Sequence, residues 1–159
     1  MANESNLEKV FAVRHGDYSR ATRELTELGI AQSQSLAEKL RTMIPVELKV
    51  IVISSQFQRA IRTATIVAGH LGAKIKVCDD LERENYESGN DIRMSILPLA
   101  EGFSVVVAIG HYESPSGIVN AFASHAFQEE VGCFVCKNGN GMMVDLKTEE
   151  IITDLLAHV

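Results

Sequence analysis

The chain predicts an α/β fold in three layers: a mostly parallel sheet flanked by helices, with a C-terminal strand pair and helix. Two observations carry that expectation. Apolar, β-rich runs at Val10 to Val13, Leu48 to Ile53, Ile75 to Cys78 and Phe103 to Ile109 alternate with segments of helical period, the pattern of a mostly parallel sheet with helices on its faces. At 159 residues, 46% hydrophobic and 23% charged, the chain is long enough to bury about 70% of its unfolded surface without a disulfide or metal staple. No internal repeat, low-complexity tract or linker interrupts it, so one domain over residues 1–159 is expected.

In chain order, Val10 to Val13 is the first strand. Thr26 and Glu27 open a helix reaching about Thr42, with Leu28, Leu36, Leu40 and Met43 on its buried side and Pro45 marking its end. After the strand Leu48 to Ile53, Ser55-Gln-Phe-Gln58 has the form of a capping box. Phe57, Ala60, Ile61, Ala64, Val67, Ala68 and Leu71 then make a stripe at spacings of three and four that ends at Gly72. A weaker helix is expected from Asp91 to Ala100, kinked or stopped by Pro98. Ser114-Pro115 supplies an N-cap and first-turn proline for a helix carrying Ile118, Phe122 and His125. Gly132 to Lys137 and Met142 to Leu146 read as a hairpin about Asn138-Gly-Asn-Gly141, and Glu149 to Ala157 as a final amphipathic helix.

A net charge of −6 argues against a broad basic surface for nucleic acid or anionic lipid, while leaving room for a local cationic pocket. No apolar run approaches the roughly 20 residues of a membrane-spanning helix. The first residues, Met1 to Glu8, lack the basic and then apolar regions of a secretory signal, so a cytoplasmic location is expected. Three cysteines do not describe a disulfide framework. Cys133 and Cys136 fall on an expected strand, where positions i and i+3 face opposite ways, which argues against metal or redox use.

Three strands run into reactive or cationic residues. The first meets Arg14-His15-Gly16, the second Ser54-Ser55 and then Arg59, and Phe103 to Ile109 meets Gly110-His111. In open α/β sheets ligands bind beyond the carboxyl ends of strands, so Arg14, His15, Arg59 and His111 are expected along one edge. Arg59 falls in the first or second turn of a helix, where the macrodipole disfavours a cation by roughly some tenths of a kcal/mol. A phosphate there, bound by the guanidinium fork and by helix N–H groups, would offset that cost. Arg62 reads as a surface residue, and Asp17 and Ser19 as caps of the loop after His15. Tyr112 is either a mouth residue or a half-buried aromatic, and His70, His125 and His158 are structural or solvated.

These residues carry a resemblance. Arg14-His15-Gly16 matches the N-terminal signature of the histidine phosphatase superfamily, the phosphoglycerate mutase-like fold. Ser54-Ser55-Gln-Phe-Gln-Arg59-Ala60-Ile-Arg-Thr63-Ala64 resembles its second element, with Gln56 in place of the usual proline. Gly110-His111 resembles its second catalytic histidine, and Leu25-Thr26-Glu27-Leu28-Gly29 the opening of its first helix. The resemblance runs from about residue 9 to 120.

It implies a metal-independent phosphatase without cofactor in which His15 attacks phosphorus and carries the phosphoryl group. Arg14, Arg59 and His111 would then stabilise the equatorial oxygens. Gly16 would allow a backbone approach to the anion, or serve as an ordinary turn glycine. A general acid for an alcohol leaving group is commonly a Glu in an LxE setting, and here Asp80-Leu81-Glu82-Arg83-Glu84 departs from that pattern. The donor is Glu82, Glu84 or neither, with Glu82 preferred. A labile P–N bond depends less on such an acid, and the short segment between the Arg59 helix and His111 leaves little chain for a lid.

In size and in Arg14-His15-Gly16-Asp17 the chain is most similar to the SixA-like protein phosphohistidine phosphatases. That similarity implies a phosphohistidine-bearing protein, a His-containing phosphotransfer domain of bacterial signalling, as partner, with no nucleic acid and no membrane. A phosphatase for small phosphate monoesters and a non-catalytic phosphate-binding module are the competing readings.

Overall fold

The structure, a computed structural model, describes residues 6–82, 91–112, 114–132 and 135–159. Six strands form one sheet: β1 Lys9–Arg14, β2 Val50–Ser54, β3 Lys74–Val77, β4 Val105–Gly110, β5 Gly141–Asp145 and β6 Ile151–Ile152. Their spatial order is β3-β2-β4-β1-β5-β6. The first four are parallel and the last two antiparallel, as the β-rich runs and their helical spacers led one to expect.

Strand alternation explains the layers. Phe11, Val13, Val52, Val107 and Ile109 face helices α1 (Glu27–Met43) and α2 (Gln58–Leu71). Val10, Ala12, Ile51, Ile53, Val106 and Ala108 face α3 (Ile92–Ile96) and α4 (Ser114–Phe127) on the other side. The central strands β1 and β4 are covered on both faces, which is why they read as nearly unbroken apolar runs. Pro98 lies in a 3₁₀ turn, Leu97–Ala100, that follows α3, so the expected Asp91 to Ala100 helix tightens where the proline falls. No helix among the described residues is long and apolar enough to cross a membrane.

Four expectations are corrected. Leu28 is 59% exposed; α1 instead buries Gly29, Ser33, Leu36, Ala37 and Leu40, a stripe that starts one residue later. The box at Ser55 to Gln58 does not form: Phe57 is the N-cap of α2 and no side chain caps it. Ser55 stays on the sheet instead, its N–H donating to the Ile109 carbonyl at 3.0 Å, so the N-cap falls two residues later, at Phe57. The described part of Gly132 to Lys137 is not a strand, because its backbone is bound elsewhere: the Cys136 N–H donates to the Tyr112 carbonyl, and the Cys136 carbonyl accepts from Arg14. Cys133 lies outside the described residues.

The C-terminal strand pair is therefore β5 with β6, and no helix spans Glu149 to Ala157. Ile151 and Ile152 pack against opposite faces of the sheet, the two-residue alternation of a pleat, which two β-branched side chains beside an open strand edge fit well.

Candidate active site

Strand register delivers the reactive residues to one place. Arg14 of β1 lies opposite Gly110 of β4, so the next residues, His15 and His111, emerge side by side, and the His15 N–H donates to the Gly110 carbonyl at 3.1 Å. Ser54 of β2 lies opposite Ile109, which places Ser55 beside His111. The two imidazole centroids are 5.3 Å apart in an edge-on arrangement. Arg59, on the first turn of α2, donates from Nε to His15 Nε2 at 3.2 Å and reaches His111 Nδ1 from Nη2 at 3.5 Å. The four residues expected along one edge therefore border a single cleft of about 560 Å³, together with Tyr18, Arg20, Phe57, Glu82 and Tyr112.

Hydrogen bonding assigns the tautomers. His15 Nδ1 lies 2.8 Å from the Gly16 carbonyl, which only accepts, so Nδ1 carries the proton and Nε2 keeps its lone pair. Arg59 only donates, so His111 Nδ1 accepts and the Nε2 proton of His111 goes to Ser55 Oγ at 3.1 Å. Burial pushes the His15 pKa down to about 3, with His111, Arg59 and Arg14 adding repulsion against the opposing Gly16 hydrogen bond. Burial and then the two arginines push His111 down to about 4. Both rings are neutral at pH 7, and His15 offers an unprotonated nitrogen to the cleft.

Two aromatic side chains, Tyr18 and Phe57, hold this set. The Arg59 guanidinium lies 4.5 Å from the Tyr18 ring centroid and 4.8 Å from that of Phe57. Tyr18 also meets the His15 ring edge-on at 5.4 Å, and Phe57 meets His111 at 5.3 Å. Phe57 belongs to the expected stripe of its helix, yet it is 37% exposed at the cleft. Its position just before α2 could have marked it. Nothing in the sequence distinguishes Tyr18, since it reaches the site through the loop that follows Gly16.

Arg14 donates from Nη1 to the Cys136 carbonyl at 2.8 Å and lies 5.8 Å from the Tyr112 ring. Among the described residues its Nε is a buried polar atom with no hydrogen-bond partner, a donor available to an anion. Tyr112 is thus a mouth residue. Asp17 and Ser19 tie the loop: Thr26 Oγ1 donates to Asp17 Oδ2 at 2.7 Å, and the Thr22 N–H to Ser19 Oγ at 3.3 Å.

Gly16 has a packing reason for lacking a side chain. A Cβ there would stand 2.4 Å from the Gly29 carbonyl of α1, and the Gly16 N–H is donated to Thr63 Oγ1 at 3.0 Å. The backbone approach to an anion expected at this residue is therefore not the use its N–H finds here. Glu82 borders the cleft, its Oε1 accepting from Gln56 Nε2, so the residue that replaces proline in the second motif holds this carboxylate. Glu84 lies outside the described residues. Among the described residues no group of three His, Cys, Asp or Glu side chains is placed to hold a metal ion.

The sequence model described as histidine phosphatase superfamily (branch 1) matches residues 4–88. Comparison with curated proteins gives no match. Among solved structures, the protein histidine phosphatase SixA complexed with tungstate aligns with a TM-score of 0.61 at 22% identity, over 91% of this chain and 96% of that one. The ecdysone phosphate phosphatase of Bombix mori, in complex with tungstate, gives 0.72 at 16% identity over 96% and 94%. The mycobacterial glucosyl-3-phosphoglycerate phosphatase with VO3 gives 0.58 at 14% identity over 92% and 97%. At these identities the agreement is one of fold.

Proposed function

The chain belongs to the histidine phosphatase superfamily, and from that premise we propose that it hydrolyses phosphohistidine on a protein partner, with His15 carrying the phosphoryl group as a covalent intermediate. The observation that carries the reading is the state of His15: Nδ1–H is held by the Gly16 carbonyl, and Nε2 is unprotonated beside the Arg59 guanidinium.

His15 Nε2 attacks phosphorus, and the P–Nε2 bond forms as the bond to the leaving nitrogen breaks. The electron pair of that bond goes to the departing imidazole, which leaves neutral once it takes a proton from a carboxylic acid or water. Arg14 and Arg59 hold the equatorial oxygens, and His111 joins them as a donor through Nδ1 once it has taken up a proton. Water then attacks the phosphoenzyme, the P–Nε2 bond breaks, and inorganic phosphate leaves with His15 neutral again.

The substrate class is argued from this chain, since the fold neighbours include phosphatases named for quite different substrates. A P–N bond is labile and asks less of an enzymic acid than an ester does. The group nearest that role is Glu82, already engaged by Gln56. That same carboxylate on the cleft is what favours the second reading, hydrolysis of small phosphate monoesters.

The deciding experiment compares kcat/KM for a phosphorylated His-containing phosphotransfer domain with that for a set of sugar phosphates. Preference for the sugars reverses the assignment. Brief reaction and quenching should leave an acid-labile, base-stable label on His15 that His15→Ala abolishes. Phosphate binding with neither label nor turnover would instead identify a binding module. A chelator is expected to leave the rate unchanged.

A further inference from the structure

Beside the catalytic cleft lies a second hollow of about 510 Å³, bordered by Tyr18, Arg20, Phe57 and Arg59, which it shares with the cleft, and by Arg23 on its outer side. Arg20 and Arg23 are exposed, and neither has an ion-pair partner among the described residues. Of the neighbouring carboxylates, Glu82 on the cleft accepts from Gln56. Asp17 is bound by Thr26, and Glu24 borders a separate hollow with Arg62.

The loop that carries the two arginines is tied at both ends. Tyr18 bridges to Leu25, the Ser19 N–H donates to the Glu24 carbonyl at 2.9 Å, and the Arg23 N–H donates to the Ser19 carbonyl at 2.7 Å. Arg23 itself holds the left-handed conformation, with φ of 65°. The charges are therefore presented on a preorganised rim.

We propose that this rim is a docking surface for an acidic stretch of the phosphorylated protein, with Arg20 and Arg23 receiving carboxylates that flank the phosphohistidine. The inference rests on the phosphohistidine reading above and adds the partner chemistry to it. Two arguments favour a protein over a small doubly charged substrate. Exposed guanidiniums gain little from a single screened anion. Several rim pairs acting together, by contrast, steer encounter and set orientation.

The charge of the whole chain sharpens the effect, because it is −6. An acidic partner is repelled by the molecule as a whole and attracted at this rim, so the charge pattern selects the approach that brings the phosphoryl group to His15.

The test uses two phosphohistidine peptides of equal length, one with Asp and Glu flanking the phosphohistidine and one with Ser at those positions. At low salt the wild-type protein should turn over the acidic peptide with about five- to tenfold higher kcat/KM, through KM, and the preference should vanish at high salt. Arg23→Glu should abolish the preference while leaving the Ser-flanked peptide unaffected. Arg23→Lys should retain it. Equal kcat/KM for the two peptides in the wild type, or a preference that persists in Arg23→Glu, overturns the docking surface and leaves the phosphohistidine assignment standing. Turnover of neither peptide overturns that assignment and this inference together.

Discussion

Thr63 and Gly16 are joined by a buried hydrogen bond, the Gly16 N–H donating to Thr63 Oγ1 at 3.0 Å, and the same hydroxyl donates to the Arg59 carbonyl at 2.9 Å. Since the Gly16 carbonyl in turn holds His15 Nδ1, one threonine connects His15, the proposed nucleophile, to the arginine beside it. Thr63→Val keeps the shape and removes the hydroxyl, leaving a buried N–H unpaired at a cost of about 1–3 kcal/mol. The expected outcome is a lowered denaturation midpoint together with a fall in kcat larger than any change in KM. Thr63→Ser should restore both. A valine variant with wild-type kcat would show that the connection does not position the site.

Gly16→Ala places a methyl group 2.4 Å from the Gly29 carbonyl, a backbone atom that cannot step aside without moving α1. Activity and thermal stability should both fall. The same substitution at Gly69, where an added Cβ meets nothing within 4 Å, should leave activity intact and serve as the control. It should stabilise rather than destabilise, since alanine is the better helix former by about 1 kcal/mol.

The two cleft histidines make stability depend on pH in a defined direction. Their folded values, about 3 for His15 and about 4 for His111, lie below the usual 6.5. The unfolded chain therefore binds more protons than the folded one in between. The contribution is complete above pH 6.5 and is lost as pH falls toward 4 and then 3. Denaturant midpoints should decline over that window, with a slope near its centre of about two protons. A His15→Gln/His111→Gln double variant should flatten it. Histidine ring resonances should show neither group titrating between pH 8 and pH 6.

An anion in the cleft changes that balance for His111, which is held down by burial and by two guanidinium charges. Saturating tungstate offsets the charges and turns Nδ1 into a useful donor, so the His111 titration midpoint should move up from about 4. By linkage, tungstate affinity should weaken as pH rises through that shifted value. A midpoint unchanged by tungstate would remove His111 from the oxyanion site. His111→Ala should cost about 10²–10³ in kcat, the scale of losing one oxyanion donor.

The reactive residues were legible because the strand-to-loop transitions that carry them are sharp. Arg14-His15-Gly16 follows an apolar run, Gly110-His111 follows another, and Arg59 follows Ser54-Ser55 at the head of the clearest helix stripe. The parallel core was legible for the same reason, since strands covered on both faces read as unbroken apolar runs. The C-terminal part was not. Ile151 and Ile152 satisfy a helical stripe and a two-residue strand equally well, and only the free edge of β5 selects the strand.

Chemical identity was thus in the sequence: two imidazoles and two guanidiniums at the ends of three strands. Register was decided by the fold. Arg14 opposite Gly110 and Ser54 opposite Ile109 bring His15, His111 and Ser55 together, and those pairings depend on how β1, β2 and β4 pack between two layers of helices. The roles of Tyr18, Thr63 and Gln56 were decided there too. Each acts through a partner between 26 and 47 residues away, or through a ring contact across a loop, and a contact of that kind has no local signature in the chain.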